Sequence, residues 1–388
     1  MLPAVPHQGD NGTRATDRGG VVRVAKAVRF SRFGGPEVLE VVEVPTPEPG
    51  DGELLVEVAA AGLTPVDSAI REDRDPTGRA APLPSGVGRE FAGVVVAAGP
   101  GASQFDRGDE VMGFVDGGAL ATHLVAPEAN VVRRPPGLSW EVAGSLYTSG
   151  TTAWAAVERL ALTANDTVVV TAAAGGVGCL AVQFARLKGA HVLGTSADQR
   201  FDFLRQFGVV PIGYGPRLAE RVGAAADGLP ITAFLDFLGG EAEVATALGV
   251  PPGRILTTLD PDAVDLHGAV RVEPGDAVAF ARVAQLVAAR RVRLPIADVF
   301  PLERVADAYR ALDRRDAPGK IVLGFHVVAY PGQVVEEPDL KEQDVTLGVP
   351  TPHARVAVEE QVPAAIGDGS VRRRHRAAHA APGAPDDR

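Results

Sequence analysis

The chain has 388 residues, 46% of them hydrophobic and 22% charged, which is ordinary globular usage with room for two domains. Its net charge of −11, with no basic block in the body of the chain, speaks against nucleic acid as a partner. The single cysteine, Cys179, excludes an intrachain disulfide and a zinc site built from several thiolates, and suits a reducing, cytoplasmic setting. Residues 1–23 are polar, rich in Gly and Pro, and lack the apolar core of a signal peptide; they read as a disordered extension. Regular alternation starts at VAKAVRF (24–30), a first strand. It continues through EVLEVVEVPTPEPGDGELLVEVAAAG (37–62), FAGVVVAAG (91–99), DEVMGFV (109–115), ATHLVAP (121–127) and NVVRRP (130–135). Residues 24–144 are therefore expected to form a β-rich, barrel-like domain.

The pattern changes after Pro136. SWEVAGSLYTSGTTAWAAVERLAL (139–162) has a helical period, with Ser139 as N-cap. Strands TVVVTA, HVLGTS, TAFLDFLGG and GRILTTL then alternate with helices VGCLAVQFARLKG and DQRFDFLRQFG. Near-continuous apolar strands separated by helices predict a doubly wound parallel sheet over 145–275. AVAFARVAQLVAARRVRL and PLERVADAYRALDRRD read as helices, and the strand GKIVLGF is expected to carry 276–325 back to the first domain. Residues 326–388, with the basic run VRRRHR, show no sustained period and read as a disordered, solvated tail. The apolar stretch 168–185 is long enough to suggest a membrane span. Gly175, Gly176 and Gly178 in its middle favour a buried strand, turn and helix, so no membrane partner is expected.

That turn, AAAGGVG (172–178), is the first chemical signal. Small residues let the strand turn sharply, let backbone N–H groups approach a pyrophosphate, and let the next helix pack closely. Ala173, Gly175, Gly176, Val177 and Gly178 are the candidate cradle, with the pyrophosphate on the helix N-terminus. An NAD site carries Asp or Glu at the end of the second strand, about 20 residues on. Gly194, Thr195 and Ser196 stand there instead, followed by Asp198 and Arg200. A hydroxyl and a guanidinium suit a 2′-phosphate, so NADPH is expected ahead of NADH, which Asp198 keeps possible. Cys179 begins the same helix, either as a thiol activated by the helix end or as a small buried hydrophobe, and no chemistry is assigned to it.

Several motifs occur in a fixed order: KAVRFSRFGGPEVLEVVEVPTPEPGDGELLVEVAAAGLTPVD, GREFAGVVVAAG, GDEVMGF, TSGTTAWAAV, AAAGGVG, LDFLGG and GKIVLGF. Through them residues 24–325 resemble the medium-chain dehydrogenase/reductase superfamily, in its zinc-independent quinone oxidoreductase (zeta-crystallin-like) branch. The resemblance implies an α/β fold, a GroES-like β-barrel domain plus a Rossmann domain with the active site in the cleft between them. It also implies a homodimer joined through the nucleotide domain.

Zinc-dependent relatives take metal ligands from positions that read Leu63–Thr64 and Arg89 here, and the eight histidines are scattered, so no metal is expected. The resemblance implies hydride transfer from NADPH to a quinone or an α,β-unsaturated carbonyl. Thr64 stands where relatives carry an Asn near the nicotinamide; it would either orient substrate or cofactor or satisfy a loop backbone. Ala69 replaces a tyrosine found in some relatives, which leaves the proton donor unidentified, with solvent as one source. Thr151 and Thr152 match a cofactor-proximal segment, Tyr214 a residue beside the 2′-phosphate, and Thr257 and Thr258 the nicotinamide edge. Two alternatives stand beside this reading: an enoyl reductase of a polyketide or lipid pathway, and an NADPH-binding protein with little turnover. Relatives begin near Val24, so DRGGVVR is expected to be translated from a ribosome-binding sequence, with Val24 as the native start.

Overall fold

Alternation sets the first strand as expected: in β1 (Val24–Phe30), Ala25, Val28 and Phe30 are buried while Val24, Lys26 and Arg29 face solvent. The structure, a computed structural model, describes residues 24–74, 81–258, 260–315 and 317–325. The expectations for 1–23 and 326–388 lie outside the described residues. The chain continues through β2 (Glu40–Pro45), β3 (Glu53–Gly62), helix α1 (Pro65–Arg71), β4 (Ser85–Gly86), β5 (Glu90–Ala98), β6 (Glu110–Phe114), β7 (His123–Pro127) and β8 (Val131–Arg133). Next come α2 (Trp140–Ala143), α3 (Tyr147–Leu160), β9 (Thr167–Val170), α4 (Gly176–Leu187), β10 (His191–Ser196), α5 (Phe201–Arg205), β11 (Val210–Gly213) and α6 (Leu218–Ala225). The last elements are β12 (Ala233–Asp236), α7 (Ala242–Ala247), β13 (Ile255–Thr257), α8 (Pro261–His267), β14 (Val270–Arg271), α9 (Ala277–Ala288), β15 (Ile296–Pro301), α10 (Val305–Asp313) and β16 (Lys320–Gly324).

The barrel sheet runs β15-β16-β3-β5-β6-β8, with β7 also on β3 and a smaller sheet β2-β1-β4 beside it. β16 pairs antiparallel with β3, Val322 opposite Gly62. Val28, Phe30, Val56, Phe91 and Ile321 fill its interior. The second sheet is parallel, in the order β11-β10-β9-β12-β13-β14. Counted from β9 this is 3-2-1-4-5-6, the doubly wound order of a dinucleotide-binding domain, whose switch point lies between β9 and β12. All four residues of β9 and of β12 are buried, as strands covered on both faces require.

Three expected elements are shorter than the sequence pattern suggests. The helical run at 139–162 is two helices: β3 passes so close that a Cβ on Gly144 would lie 2.4 Å from the Ala60 carbonyl oxygen, and the helix gives way there. The run at 198–208 is a 3-10 turn, Asp198–Arg200, followed by the one-turn α5. The long run from Ala277 ends at Ala288. In the other direction, α1 is a helix where only a loop motif was read.

Candidate functional site

The turn after β9 is built from backbone. Ala172 adopts a left-handed conformation (φ +47°), and the Gly175 N–H donates to its carbonyl at 2.9 Å. α4 then starts at Gly176 with Gly175 as N-cap, a residue with no side chain to occupy the first-turn N–H groups. A Cβ on Gly178 would sit 2.2 Å from the Ala172 oxygen, so only glycine lets the helix pack on this turn. Ala173 and Gly178 are buried, while Gly175, Gly176 and Val177 are half-buried and form its open face. The returning strand braces the turn: Gly319 N–H donates to the Ala174 carbonyl at 3.0 Å, and Gly175 and Gly319 form a parallel bridge. Gly319 itself needs its positive φ of +78°, and a Cβ there would strike Pro295 O at 2.1 Å.

The carboxyl ends of the neighbouring strands carry the other sequence candidates. Ser196 is buried and donates its hydroxyl proton to Ala197 O at 3.1 Å. It lies in register with Gly213 of β11, so Tyr214, which is 43% exposed, follows directly beside it. Arg200 ends the 3-10 turn just after Ser196, while Asp198 approaches Gly213. Arg221 ties down the loop that holds Tyr214 by donating to the carbonyls of Gly213, Gly215 and Pro216. At the end of β12 the buried Asp236 accepts the Thr171 hydroxyl at 2.7 Å and the N–H groups of Leu238, Gly239 and Glu241. It thereby folds 237–241 over the switch point. Thr257 has a buried hydroxyl with no hydrogen-bond partner among the described residues, whereas the buried Thr195 hydroxyl interacts with the Tyr214 phenol. Thr258, next along, is half-buried. In α3, Thr152 is buried, and Thr151 spends its hydroxyl on Tyr147 O at 2.7 Å.

On the barrel side Thr64 is the N-cap of α1. Its hydroxyl donates to Asp67 Oδ2 at 2.9 Å and accepts the Asp67 N–H, while its own N–H also goes to that carboxylate. Of the two roles left open for Thr64, the geometry displays the local one, a capping box that fixes the loop. Burial pushes the Asp67 carboxyl above its usual range, against the opposing hydrogen bonds from Thr64.

Beside this loop lies a buried ion pair, Lys320 to Glu90 at 2.7 Å, with both side chains almost fully covered. Lys320 also donates to Leu63 O at 2.6 Å, and Glu90 accepts the Thr148 N–H at 2.8 Å. The Lys320 stem runs past the glycine turn, 3.0 Å from where a Cβ on Gly176 would be. One lysine therefore touches both the Thr64 loop and the candidate cradle. Sequence reading missed this pair and Asp236, because no period or spacing marks a charge as buried. Cys179 is fully buried, and burial raises its thiol to about 12; of its two readings the geometry displays the small buried hydrophobe.

Residues 50–136 match the alcohol dehydrogenase GroES-like domain and residues 218–323 the zinc-binding dehydrogenase family. A quinone oxidoreductase of Pseudomonas aeruginosa is 34% identical over 241 residues, covering 61% of this chain and 73% of that one. The chain belongs to the quinone oxidoreductase branch of the medium-chain dehydrogenase/reductase superfamily. It is an oxidoreductase of that family. The solved quinone oxidoreductase from Coxiella burnetii superposes with a TM-score of 0.72 at 27% identity, covering 78% of this chain and 100% of that one. A phthioceranic/hydroxyphthioceranic acid synthase of Mycobacterium tuberculosis is 30% identical over 318 residues, 75% of this chain but 15% of the synthase. In this oxidoreductase no group of three His, Cys, Asp or Glu side chains among the described residues could hold a metal ion. No described helix is long and apolar enough to cross a membrane.

Proposed function

We propose that this oxidoreductase uses NADPH to deliver hydride to a quinone or an α,β-unsaturated carbonyl, without a metal. The observation that carries the reading is the half-buried Gly175–Val177 turn at the switch point of the sheet, with uncapped helix N–H groups beside it. A dinucleotide fits these residues: the cradle rejects a Cβ at Gly178, and the buried Thr257 hydroxyl lacks a partner among the described residues. Bound there, NADPH supplies the hydride. The chain's own residues do the rest. Ala173, Gly175, Gly176, Val177 and Gly178 hold the pyrophosphate, while Ser196, Arg200 and Tyr214 surround the 2′-phosphate. Ser196 already donates to Ala197 O, and Arg200 is the one of the three that carries a positive charge. Thr152 and Thr258 are assigned to the nicotinamide side, and Thr64 holds the substrate loop in place. The enzyme works in this reading as a cytoplasmic homodimer on a small molecule.

Following the loss of NADPH absorbance with a panel of quinones and enones tests the activity. Arg200→Ala should raise KM for NADPH about 10- to 100-fold, the worth of a charge-assisted hydrogen bond, and leave KM for NADH unchanged. Equal or better kcat/KM with NADH in the wild type overturns the NADPH assignment. A second reading, an enoyl reductase of a polyketide or lipid pathway, draws on the similarity to the mycobacterial synthase. Preference for enoyl thioesters over free quinones and enones would select it.

A further inference from the structure

Reduction of a conjugated carbonyl creates a charge that the protein must meet. Hydride adds to the β-carbon of an enone as the C4–H bond of the dihydronicotinamide breaks. The electron pair moves through the alkene to the carbonyl oxygen, and the cofactor leaves oxidised. The product is an enolate, or for a quinone the hydroquinone monoanion, until solvent supplies a proton. An oxyanion of this kind is stabilised best by donors already in place and shielded from water.

Two such donors lack partners among the described residues, and both adjoin Glu90: Arg89 precedes it in the chain and Thr148 is hydrogen-bonded to it. Arg89 immediately precedes Glu90, and its Nε is buried with no hydrogen-bond partner among the described residues. Thr148 donates its N–H to Glu90 Oε2 at 2.8 Å, and its hydroxyl is likewise buried and unpartnered there. An arginine in such a place is ordinarily matched by a carboxylate. The obvious candidate, Glu90, is already taken by Lys320 at 2.7 Å and by the Thr148 N–H. The Arg89 backbone is pinned, its carbonyl accepting the Val115 N–H at 2.9 Å, while the residue remains partly open to solvent.

The surroundings fit a flat, conjugated acceptor. The half-buried ring of Tyr147 stacks on Phe114 at a centroid distance of 3.9 Å and meets Phe280 edge-on at 5.3 Å. This makes an aromatic wall beside Thr148. Arg89 lowers the carboxyl of Asp67 on α1 and the phenol of Tyr147 on α3 through its charge, although burial dominates and raises both. Its field thus spans the cleft from the barrel side to the nucleotide side.

We infer that Arg89, with Thr148 beside it, is the oxyanion-stabilising catalytic group that receives the acceptor's carbonyl oxygen. The inference deepens the proposed reduction and rests on that reading for its substrate class. The guanidinium stands at a position where metal-dependent relatives place a ligand, and here it supplies the positive charge itself.

The test uses 4-nitrophenol, whose phenolate carries a distinct visible absorption band, added to the intact enzyme with NADP⁺ below the solution pKa of the phenol. Wild-type protein should bind it as the phenolate. Arg89→Gln should lose the band, and Arg89→Lys, which keeps the charge, should retain part of it. Enone turnover should fall about 100- to 1,000-fold in Arg89→Gln, the usual cost of one oxyanion donor, with Kd for NADPH within about twofold of wild type. A phenolate band of wild-type strength in Arg89→Gln overturns the inference whatever the turnover. If the wild type reduces no quinone or enone but shows an Arg89-dependent band, the proposed function fails while the anion site stands.

Discussion

At the scale of single residues, Asp166 shows how one carboxylate can join distant parts of a domain. It lies just before β9 and accepts the Thr163 N–H at 2.8 Å, the Thr232 hydroxyl at 2.8 Å and the Arg254 guanidinium at 2.7 Å. Arg254 also reaches the Thr232 carbonyl, closing the network between the starts of β9, β12 and β13. Burial alone would raise the Asp166 carboxyl, but the Thr232, Thr163 and Arg254 contacts together bring it below the ordinary 3.8. A depressed folded-state pKa means the charged form is favoured by folding. That stabilisation is present above the unfolded pKa and is lost as pH falls through the folded one. Asp166→Asn should therefore cost about 1–3 kcal/mol at neutral pH, the range for losing charge-assisted hydrogen bonds. The gap to wild type should close in acid below the ordinary carboxylate range. Urea denaturation at several pH values measures it, and a gap that stays constant down that range would refute the assignment.

At the scale of elements, the β9–turn–α4 unit is legible in the sequence, because its constraint is local. Four buried β-branched or apolar residues, a run of small residues and an apolar helix can do little else than turn sharply at a switch point. Gly178 states that constraint most strongly. Gly178→Ala should abolish detectable nucleotide binding, because its Cβ would lie 2.2 Å from the Ala172 oxygen and the turn would have to open. Nucleotide fluorescence titration reports the loss, and circular dichroism shows whether the fold survives; unaltered affinity would contradict the cradle. The α1 helix is equally local: Thr64-Pro65-Val66-Asp67 carries a capping box and a proline at the first helical position, but seven residues are too few for a helical period to show. The break between α2 and α3 could not be read at all. Its cause is Ala60 on a strand far away in the sequence, and only tertiary contact discloses it. The site divides in the same way. The glycines, Ser196 and Arg200 are candidates by spacing and Tyr214 by resemblance, whereas Arg89, Asp236 and the Lys320–Glu90 pair depend on what surrounds each side chain.

At the scale of the whole molecule, the Lys320–Glu90 pair ties two strands of the barrel sheet together and from there reaches the parallel-sheet domain through Thr148 and Gly176. Lys320 begins the strand that returns to the barrel, Glu90 begins β5, and the Thr148 N–H that Glu90 accepts belongs to the first helix turn of α3. The Lys320 contact with Leu63 fixes the loop leading to Thr64. Desolvating two charges is expensive, and their mutual attraction does little more than offset it. The pair's value is therefore better sought in specificity of docking than in net stability. Removing one partner is different, because the other is left buried without its counter-ion. Lys320→Met should destabilise the protein by about 3–5 kcal/mol, the range for breaking a buried pair. Adding Glu90→Met should recover part of that loss, a coupling of about 0.5–3 kcal/mol in a double-mutant cycle. Thermal or urea denaturation of the four proteins supplies the cycle. Nucleotide affinity should separate the two effects, since the Lys320 stem lies against Gly176: the double variant should regain stability without regaining full affinity. Strictly additive stability losses would show that the two charges do not act as a unit.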